Sequence, residues 1–314
     1  MGAFKDRFEM GLQTWSLCHY PDHDYILAAT EELGITRVDI GNCHFEFIAD
    51  RPSCQVIDGR IRWLNEHTAD DISLRYEGER DFPEGSFLEP FILATRSREA
   101  GAKAEVVFSY RATDYASLAA KYAANGVRIH TFGPLGIPGR PEDCEAQARR
   151  VFELAKACGV DFFELHMIRA HEIPILEALQ KEYGIRVTIH NHGKDHAYGR
   201  IVQLKPLLEN TSFGFSLDTA WAVDAGEDPV EMVRAFHDRL VSVHCKEFEY
   251  DEDGSWHGVV SGSGTFDLPG LMRLLNDVGY TGLFALEYEG FERDSITPLK
   301  QSKAAVEELL AALN

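Results

Sequence analysis

The chain of 314 residues is 45% hydrophobic and 26% charged, an ordinary globular composition whose length fits one large α/β barrel or two smaller units. A formal net charge of −20, with acidic residues spread along the chain, argues against a nucleic-acid partner, because affinity for phosphate backbones comes mainly from Lys and Arg; it fits a soluble enzyme of neutral small molecules. No apolar run approaches the ~20 residues needed to span a bilayer, so no membrane partner is expected. The opening MGAFKDRFEMGLQTW has no long apolar stretch, so no secretory leader is expected, and Lys5-Asp6 offers no Ser or Thr where a myristoylation motif needs one. Cys18, Cys43, Cys54, Cys144, Cys158 and Cys245 are scattered without a CxxC pair, which predicts a reduced, cytoplasmic setting.

Short apolar runs alternate with helix-like segments, the pattern of a parallel α/β fold. A first strand is predicted at Met10–Leu17, then a helix from about Asp24 to Leu33 that stops at Gly34, then a second strand at Thr36–Gly41. Further strands read at Val127–Phe132, Asp161–His166, Ile185–His190, Ser212–Asp218, Leu240–His244 and Gly282–Glu287. Helices fit between them at Tyr115–Ala124, Glu142–Cys158, Ile173–Tyr183, Ile201–Leu208, Pro229–Phe236 and Leu268–Val278, and Pro298–Leu313 closes the chain. Eight strands, each followed by a helix, predict a (β/α)8 TIM barrel as a single domain over residues 1–314. Residues 43–112 break the repeat, with strand-like pieces at Ile72–Tyr76 and Ala104–Tyr110 around a middle interrupted by Pro and Gly. Counting Ala104–Tyr110 in the barrel would make nine strands, so this stretch is predicted to be an insertion after strand two, over the barrel mouth or at an oligomer interface.

Side-chain phase tests the barrel. Successive residues of a strand face opposite sides. With Asp218 inward, Ser216 and Gly214 are inward while Phe215 and Leu217 face the helices; with His244 inward, Ser242 joins it and Val241 and Val243 face out. Glu287 brings Ala285 inward against Phe284 and Leu286, and His190 brings Thr188 inward against Val187 and Ile189. Each of these four strands therefore ends in a metal-competent side chain on its small, polar face. Barrel enzymes assemble their sites at the C-terminal ends of several strands at once. Two imidazoles and two carboxylates suit Mn²⁺, Zn²⁺, Co²⁺ or Fe²⁺ better than Ca²⁺. The plainer readings are a loop-capping role for Asp218 and a structural role for His244; a buried strand-end Glu287 resists such a reading, because an unpaired buried carboxylate is costly.

The segments GFSLDTAWAVDAGEDPVEMVRAF, RLVSVHCKEF and SGSGTFDLPGLMRLLNDVGYTGLFALEYEG resemble the C-terminal half of the sugar phosphate isomerase/epimerase family. GLQTWSL and ITRVDIG resemble its first two strands more loosely. That family belongs to the xylose-isomerase-like TIM barrels, with ketose 3-epimerases, inosose dehydratase and an endonuclease. The resemblance implies one divalent ion, Mn²⁺ first with Zn²⁺, Co²⁺, Mg²⁺ or Fe²⁺ as alternatives, held by His190, Asp218, His244 and Glu287. His190 departs from the family's Glu, its Glu-Asn-His being His-Asn-His here, as in an HNHG subset. In the 3-epimerases that Glu also moves a proton, so Glu164, His166 or His192 is expected to supply the missing group beside Glu287. Lys246 matches the Lys of the family's His-x-Lys-Asp and is expected to bind a substrate oxygen; Cys245 is out of phase and reads as packing.

Trp15 and Gln13 share a phase and could form a sugar-stacking wall, with core packing as the alternative. His130 and Asp39 have the inward phase of their strands; His257 reads as a surface histidine, and Glu247–Asp253 as a solvated acidic loop. The expected chemistry is metal-assisted proton abstraction beside a carbonyl of a sugar, keto-sugar or polyol. Returning the proton gives an isomerase or epimerase; losing a β-leaving group gives a dehydratase or a lyase of 3-keto-glycosides. A nuclease of the same barrel is opposed by the charge. A non-catalytic or partner-dependent chain, with a second small β-rich subunit, is a further alternative, and a homo-oligomer is expected.

Overall fold

Strands with bulky apolar residues on one side and small polar ones on the other curl into one parallel sheet wrapped by helices. The computed structural model describes residues 8–18, 20, 23–41, 44, 51–57, 60–64, 109–111, 115–137, 142, 144–252, 254–264, 266–290 and 294–313, of which 51–57, 60–64 and 109–111 are described as backbone. The described strands are β1 (Glu9–Gln13), β2 (Arg37–Ile40), β3 (Arg51–Ile57), β4 (Arg60–Leu64), β5 (Ser109–Arg111), β6 (Arg128–Phe132), β7 (Leu135–Gly136), β8 (Phe162–Met167), β9 (Arg186–His190), β10 (Gly214–Asp218), β11 (Leu240–Cys245), β12 (Glu247–Tyr250), β13 (Trp256–Val259) and β14 (Leu283–Leu286). The described helices are α1 (His23–Leu33), α2 (Tyr115–Ala124), α3 (Cys144–Cys158), α4 (Ile173–Tyr183), α5 (Ile201–Glu209), α6 (Thr219–Asp224), α7 (Pro229–Phe236), α8 (Leu268–Asp277) and α9 (Ile296–Ala312).

The parallel sheet runs β6-β2-β1-β14-β11-β10-β9-β8-β7. Its two ends are a single interrupted strand. β6 and β7 are separated only by Gly133-Pro134, where proline brings no N–H to a ladder, so β6 pairs with β2 and β7 with β8. The barrel closes through the chain itself: the expected strand Val127–Phe132 is β6, and β7 continues it beyond the break. Gly133 is needed there: at φ +139° an added Cβ would lie 2.6 Å from the Glu164 carbonyl oxygen.

Outward-facing side chains form the core against the helices. Phe215 packs edge-on against Phe236 of α7 at 5.2 Å, and Phe163 lies between Phe132 at 5.6 Å and Phe152 of α3 at 5.0 Å. The inward side is small and hydroxylic. Thr188 donates to the Phe163 carbonyl at 3.0 Å, Ser216 donates to Thr188 Oγ1 at 3.0 Å, and Ser242 Oγ lies 2.7 Å from Ser216 Oγ.

Three elements differ from expectation. β1 stops at Gln13 rather than Leu17, because Gln13 Oε1 accepts the Trp15 N–H at 2.6 Å and Ser16 donates to the Gln13 carbonyl at 2.9 Å, curling Thr14–Leu17 into a 3-10 turn. Of the expected solvated loop Glu247–Asp253, Glu247–Tyr250 is a strand: β12 pairs with β13 as a hairpin, and buried Glu247 accepts from the Gly262 N–H at 2.8 Å and the Phe266 N–H at 3.2 Å, while Asp251 and Glu252 are exposed and Asp253 lies outside the described residues. The insertion contributes a separate antiparallel sheet, β4-β3-β5, which takes in Ser109 and Tyr110 from the expected Ala104–Tyr110 piece. Ile72–Tyr76, Cys43, the Cys54 side chain and the expected cover over the mouth or at an oligomer interface lie outside the described residues. Among the described cysteines, Cys18, Cys144, Cys158 and Cys245 are buried. No described helix is long and apolar enough to cross a membrane.

Candidate metal centre

β9, β10, β11 and β14 are neighbours in the sheet, and the side chains expected at their C-terminal ends converge. His190 Nε2 lies 3.1 Å from His244 Nδ1 and 3.4 Å from Asp218 Oδ2, and His244 Nδ1 lies 3.2 Å from Glu287 Oε2. All four residues are buried. Register explains the meeting: Asp218 stands beside His244 in the β10–β11 ladder, and His190 beside Ser216, one pleat below Asp218. Asn191 locks two strand ends together, donating to the Asp218 carbonyl at 2.9 Å and accepting the Asp218 N–H at 2.8 Å.

Asp218 divides its two oxygens. Oδ1 caps α6 by accepting the Trp221 N–H at 2.9 Å, and Oδ2 faces the cluster. The capping reading holds at Oδ1, and Oδ2 is left to the cluster. His244 divides its nitrogens in the same way. Nδ1 faces His190 and Glu287, while Nε2 lies 2.6 Å from Asp39 Oδ2 and 3.1 Å from Glu164 Oε2. Ser242 donates to Glu164 Oε1 at 2.5 Å. An imidazole anchored by carboxylates through one nitrogen, with the other turned toward further candidate ligands, is the arrangement that orients a metal-binding histidine.

The donor set fits a divalent ion. Nitrogen and carboxylate oxygen donors suit Zn²⁺, Mn²⁺, Co²⁺ and Fe²⁺. Asp218, His244 and Glu287 form one group, and Glu164, His190 and His244 another, whose ligand atoms lie within 4.8 Å of each other. Glu164 Oε2, Asp218 Oδ2 and Glu287 Oε2 are buried and meet His244 or Lys246 in ion pairs without accepting a hydrogen bond, a deficit that a cation would make good.

Charges are strongly coupled. Burial pushes Asp39 up to about 7, with the Glu164 carboxylate adding and His244 opposing. Burial also acts to raise Glu164, but His244 and Ser242 outweigh it and bring Glu164 down to about 2. His244 is held well above its ordinary value, burial opposing and the Glu164 and Asp39 carboxylates prevailing. Asp218 and Glu287 are held low despite burial, chiefly by Lys246, and Lys246 is held high despite burial by Asp218, Glu287 and Glu289. Burial pushes Glu289 up to about 7, with Lys246 opposing and Glu287 adding.

Rings line the mouth. His192 stacks on Trp221 at 4.2 Å and meets His196 tilted at 4.0 Å, and His166 lies 5.7 Å from His192. Burial, followed by the neighbouring imidazoles, brings His166 down to about 3 and His192 down to about 2. Trp221 in turn packs edge-on against Phe248 at 4.9 Å and Trp256 at 5.2 Å.

The structure does not bring every expected residue here. His130 turns toward Glu9 at the opposite barrel end, 3.8 Å from its Oε2, and packs against Phe162, because a register shift at Val38/Asp39 changes the phase of β6. Trp15 sits on the 3-10 turn, off the strand period that linked it to Gln13, and Gln13 is spent on the Trp15 N–H and the Gly133 carbonyl. His257 is a half-exposed hairpin residue near Glu249 and Asp251, as expected. Glu289, Trp221 and His196 were not expected. Glu289 is two residues past Glu287, so the same phase rule could have found it; Trp221 on the six-residue α6 and His196 on a loop carry no strand period.

Residues 95–313 match the family model described as xylose isomerase-like TIM barrel. The fold is similar to a sugar phosphate isomerase/epimerase from Parabacteroides distasonis at 16% identity and TM-score 0.60, covering 98% of this chain and 95% of that one. It is similar to the probable 3-DHS dehydratase AsbF of Bacillus anthracis at 12% identity and TM-score 0.62, covering 96% and 99%. It is also similar to the IOLI protein with a binding zinc atom, at 12% identity and TM-score 0.63, covering 98% and 99%. No curated protein matches the chain by sequence.

Proposed function

This chain belongs to the xylose isomerase-like TIM barrel family, and on that premise we propose that it is a divalent-metal-dependent isomerase or epimerase of a sugar, keto-sugar or related polyol. The observation that carries the reading is the convergence of His190, Asp218, His244 and Glu287 at neighbouring strand ends, with buried carboxylate oxygens left without hydrogen bonds. The bound ion, Mn²⁺ first, would supply Lewis-acid stabilisation of charge developing on substrate oxygens.

The chain's own groups divide the remaining tasks. Asp39 and Glu164 hold His244 through Nε2. Because its oxygens are engaged with Ser242 and His244, Glu164 orients a ligand rather than moving a proton. Glu287 faces the cluster as the base, and Glu289 beside it, poised at about 7, holds or releases a proton near neutrality. His192 is a fixed donor: the Gly193 N–H can only donate, so the Nδ1 that accepts it at 3.0 Å is bare and the ring proton sits on Nε2. Trp221 and the imidazoles offer a neutral, aromatic wall suited to a carbohydrate ring.

One observation favours a second reading. Carboxylates stand at the Glu287 and Glu289 side, and neutral imidazoles at the His166 and His192 side. Such unlike groups suit β-elimination by a dehydratase or lyase. Solvent-deuterium exchange against keto-sugars and 3-keto-glycosides with Mn²⁺ supplied decides the matter. Label at a single carbon of an otherwise intact sugar is expected; label with loss of a β-substituent would select elimination. Absence of exchange in a protein that binds no divalent ion would overturn both.

A further inference from the structure

Lys246 is ion-paired inside the cluster. Its ammonium lies 3.0 Å from Asp218 Oδ2, 3.1 Å from Glu287 Oε1 and 3.2 Å from Glu289 Oε2, with the side chain 3% exposed. The rings of Trp221 and Phe248 stand 5.3 and 5.6 Å from the same nitrogen. One N–H donates to Glu287 Oε1 while Asp218 and Glu289 are held as close ion pairs, so the ammonium is turned toward three carboxylates, where the sequence reading expected it to bind a substrate oxygen. Two of these carboxylates belong to the candidate ligand set and the third does not.

We propose that Lys246 is the built-in counter-charge of the metal ligands: it neutralises Asp218 and Glu287 in the folded chain, yields them to a divalent ion, and is retained by Glu289. The inference rests on His190, Asp218, His244 and Glu287 being metal ligands. Asp218 makes the exchange necessary. Its Oδ1 is committed to the Trp221 N–H, so the ion and the ammonium draw on the same Oδ2. Two cations on one carboxylate oxygen repel, so the ammonium lowers the affinity for the ion. Glu289 relieves that repulsion by holding the ammonium at the far side of the pair. Lys246 is thus a positioning residue for the ligand carboxylates, and Glu289 is the residue that keeps it clear.

The test is calorimetric titration of Mn²⁺ into chelator-stripped wild type, Lys246→Met, Glu289→Gln and the double variant, with thermal unfolding measured with and without Mn²⁺. Lys246→Met is expected to melt lower when stripped, having three carboxylates without a counter-charge, yet to bind Mn²⁺ on the order of tenfold tighter than wild type. Glu289→Gln is expected to bind on the order of tenfold more weakly, and that loss is expected to vanish in the Lys246→Met background. If Lys246→Met folds only with Mn²⁺, that dependence itself supports the exchange, and Glu289→Gln, which keeps the lysine, supplies the affinity comparison. Unchanged or weaker Mn²⁺ binding by Lys246→Met, or an equal effect of Glu289→Gln in both backgrounds, overturns the exchange while the metal reading stands. Wild type that binds no divalent ion overturns the metal reading and the exchange together.

Discussion

His244 and Asp218 each carry two tasks on two atoms, and the split makes their neighbours testable. Asp39 reaches the cluster through His244 Nε2, at 2.6 Å. Asp39→Asn leaves a neutral, weaker acceptor there, so the imidazole is less firmly aimed and less basic at Nδ1. Divalent-ion affinity is expected to fall roughly tenfold or more, measured by competition with a fluorescent chelator, while the fold is kept. Unaltered affinity would mean that Glu164 alone orients the ring. At this scale the four candidate ligands were legible because strand period fixes which side a residue faces. The contacts behind them were not, because Ser242–Glu164 and Asp39–His244 join strands far apart in sequence, and pattern within one strand says nothing about the opposite wall.

The break between β6 and β7 shows how an element shapes the site. An added Cβ at Gly133 would lie 2.6 Å from the Glu164 carbonyl oxygen and 2.8 Å from its Cβ, at a φ of +139° that side chains rarely adopt. Gly133→Ala must push β8 away, which costs about 2 kcal/mol or more and withdraws Glu164 from Ser242 and His244. A lowered melting temperature together with weakened metal binding is expected; a loss of stability with unchanged metal affinity would separate Glu164 from the centre. Among the elements, α2, α4 and α7 have the bounds that apolar period and the terminal Gly and Pro signals predict. β1 was overextended because Gln13 and Ser16 bond locally to the backbone, an interaction with no period. The β12–β13 hairpin was hidden by its acidic composition, since Glu247 is buried as a loop anchor rather than solvated.

For the whole molecule, buried titrating groups of opposite habit predict a plateau in stability. Asp39 rises from 3.8 to about 7 and Glu289 from 4.5 to about 7, so folding binds their protons: their contribution is complete near pH 4 and is lost as pH rises through 7. His166 and His192 fall from 6.5 to about 3 and about 2, so folding favours their neutral rings: their contribution is complete above 6.5 and is lost as pH falls toward 3 and 2. Each group is worth at most about 1.4 kcal/mol per pH unit, and between about pH 4.5 and about 6.5 the two pairs oppose each other with equal slopes. Below that window the histidines continue to lose, and Glu164 joins them on its way from 4.5 to about 2, with Asp218 and Glu287 in the same direction. Above it the contribution of His244, present below 6.5 and lost as pH rises, disappears. Urea midpoints of chelator-stripped protein are therefore expected to be flat across mildly acidic pH, with a steep acid limb and a gentler alkaline one. The double variant His166→Asn/His192→Asn removes one side of the balance, so its midpoint should climb as pH is lowered across the plateau. A wild-type midpoint rising steadily from about pH 5 to about 8 would show that the two carboxyls do not hold protons in the fold, and with them would go the acid–base role assigned to Glu289.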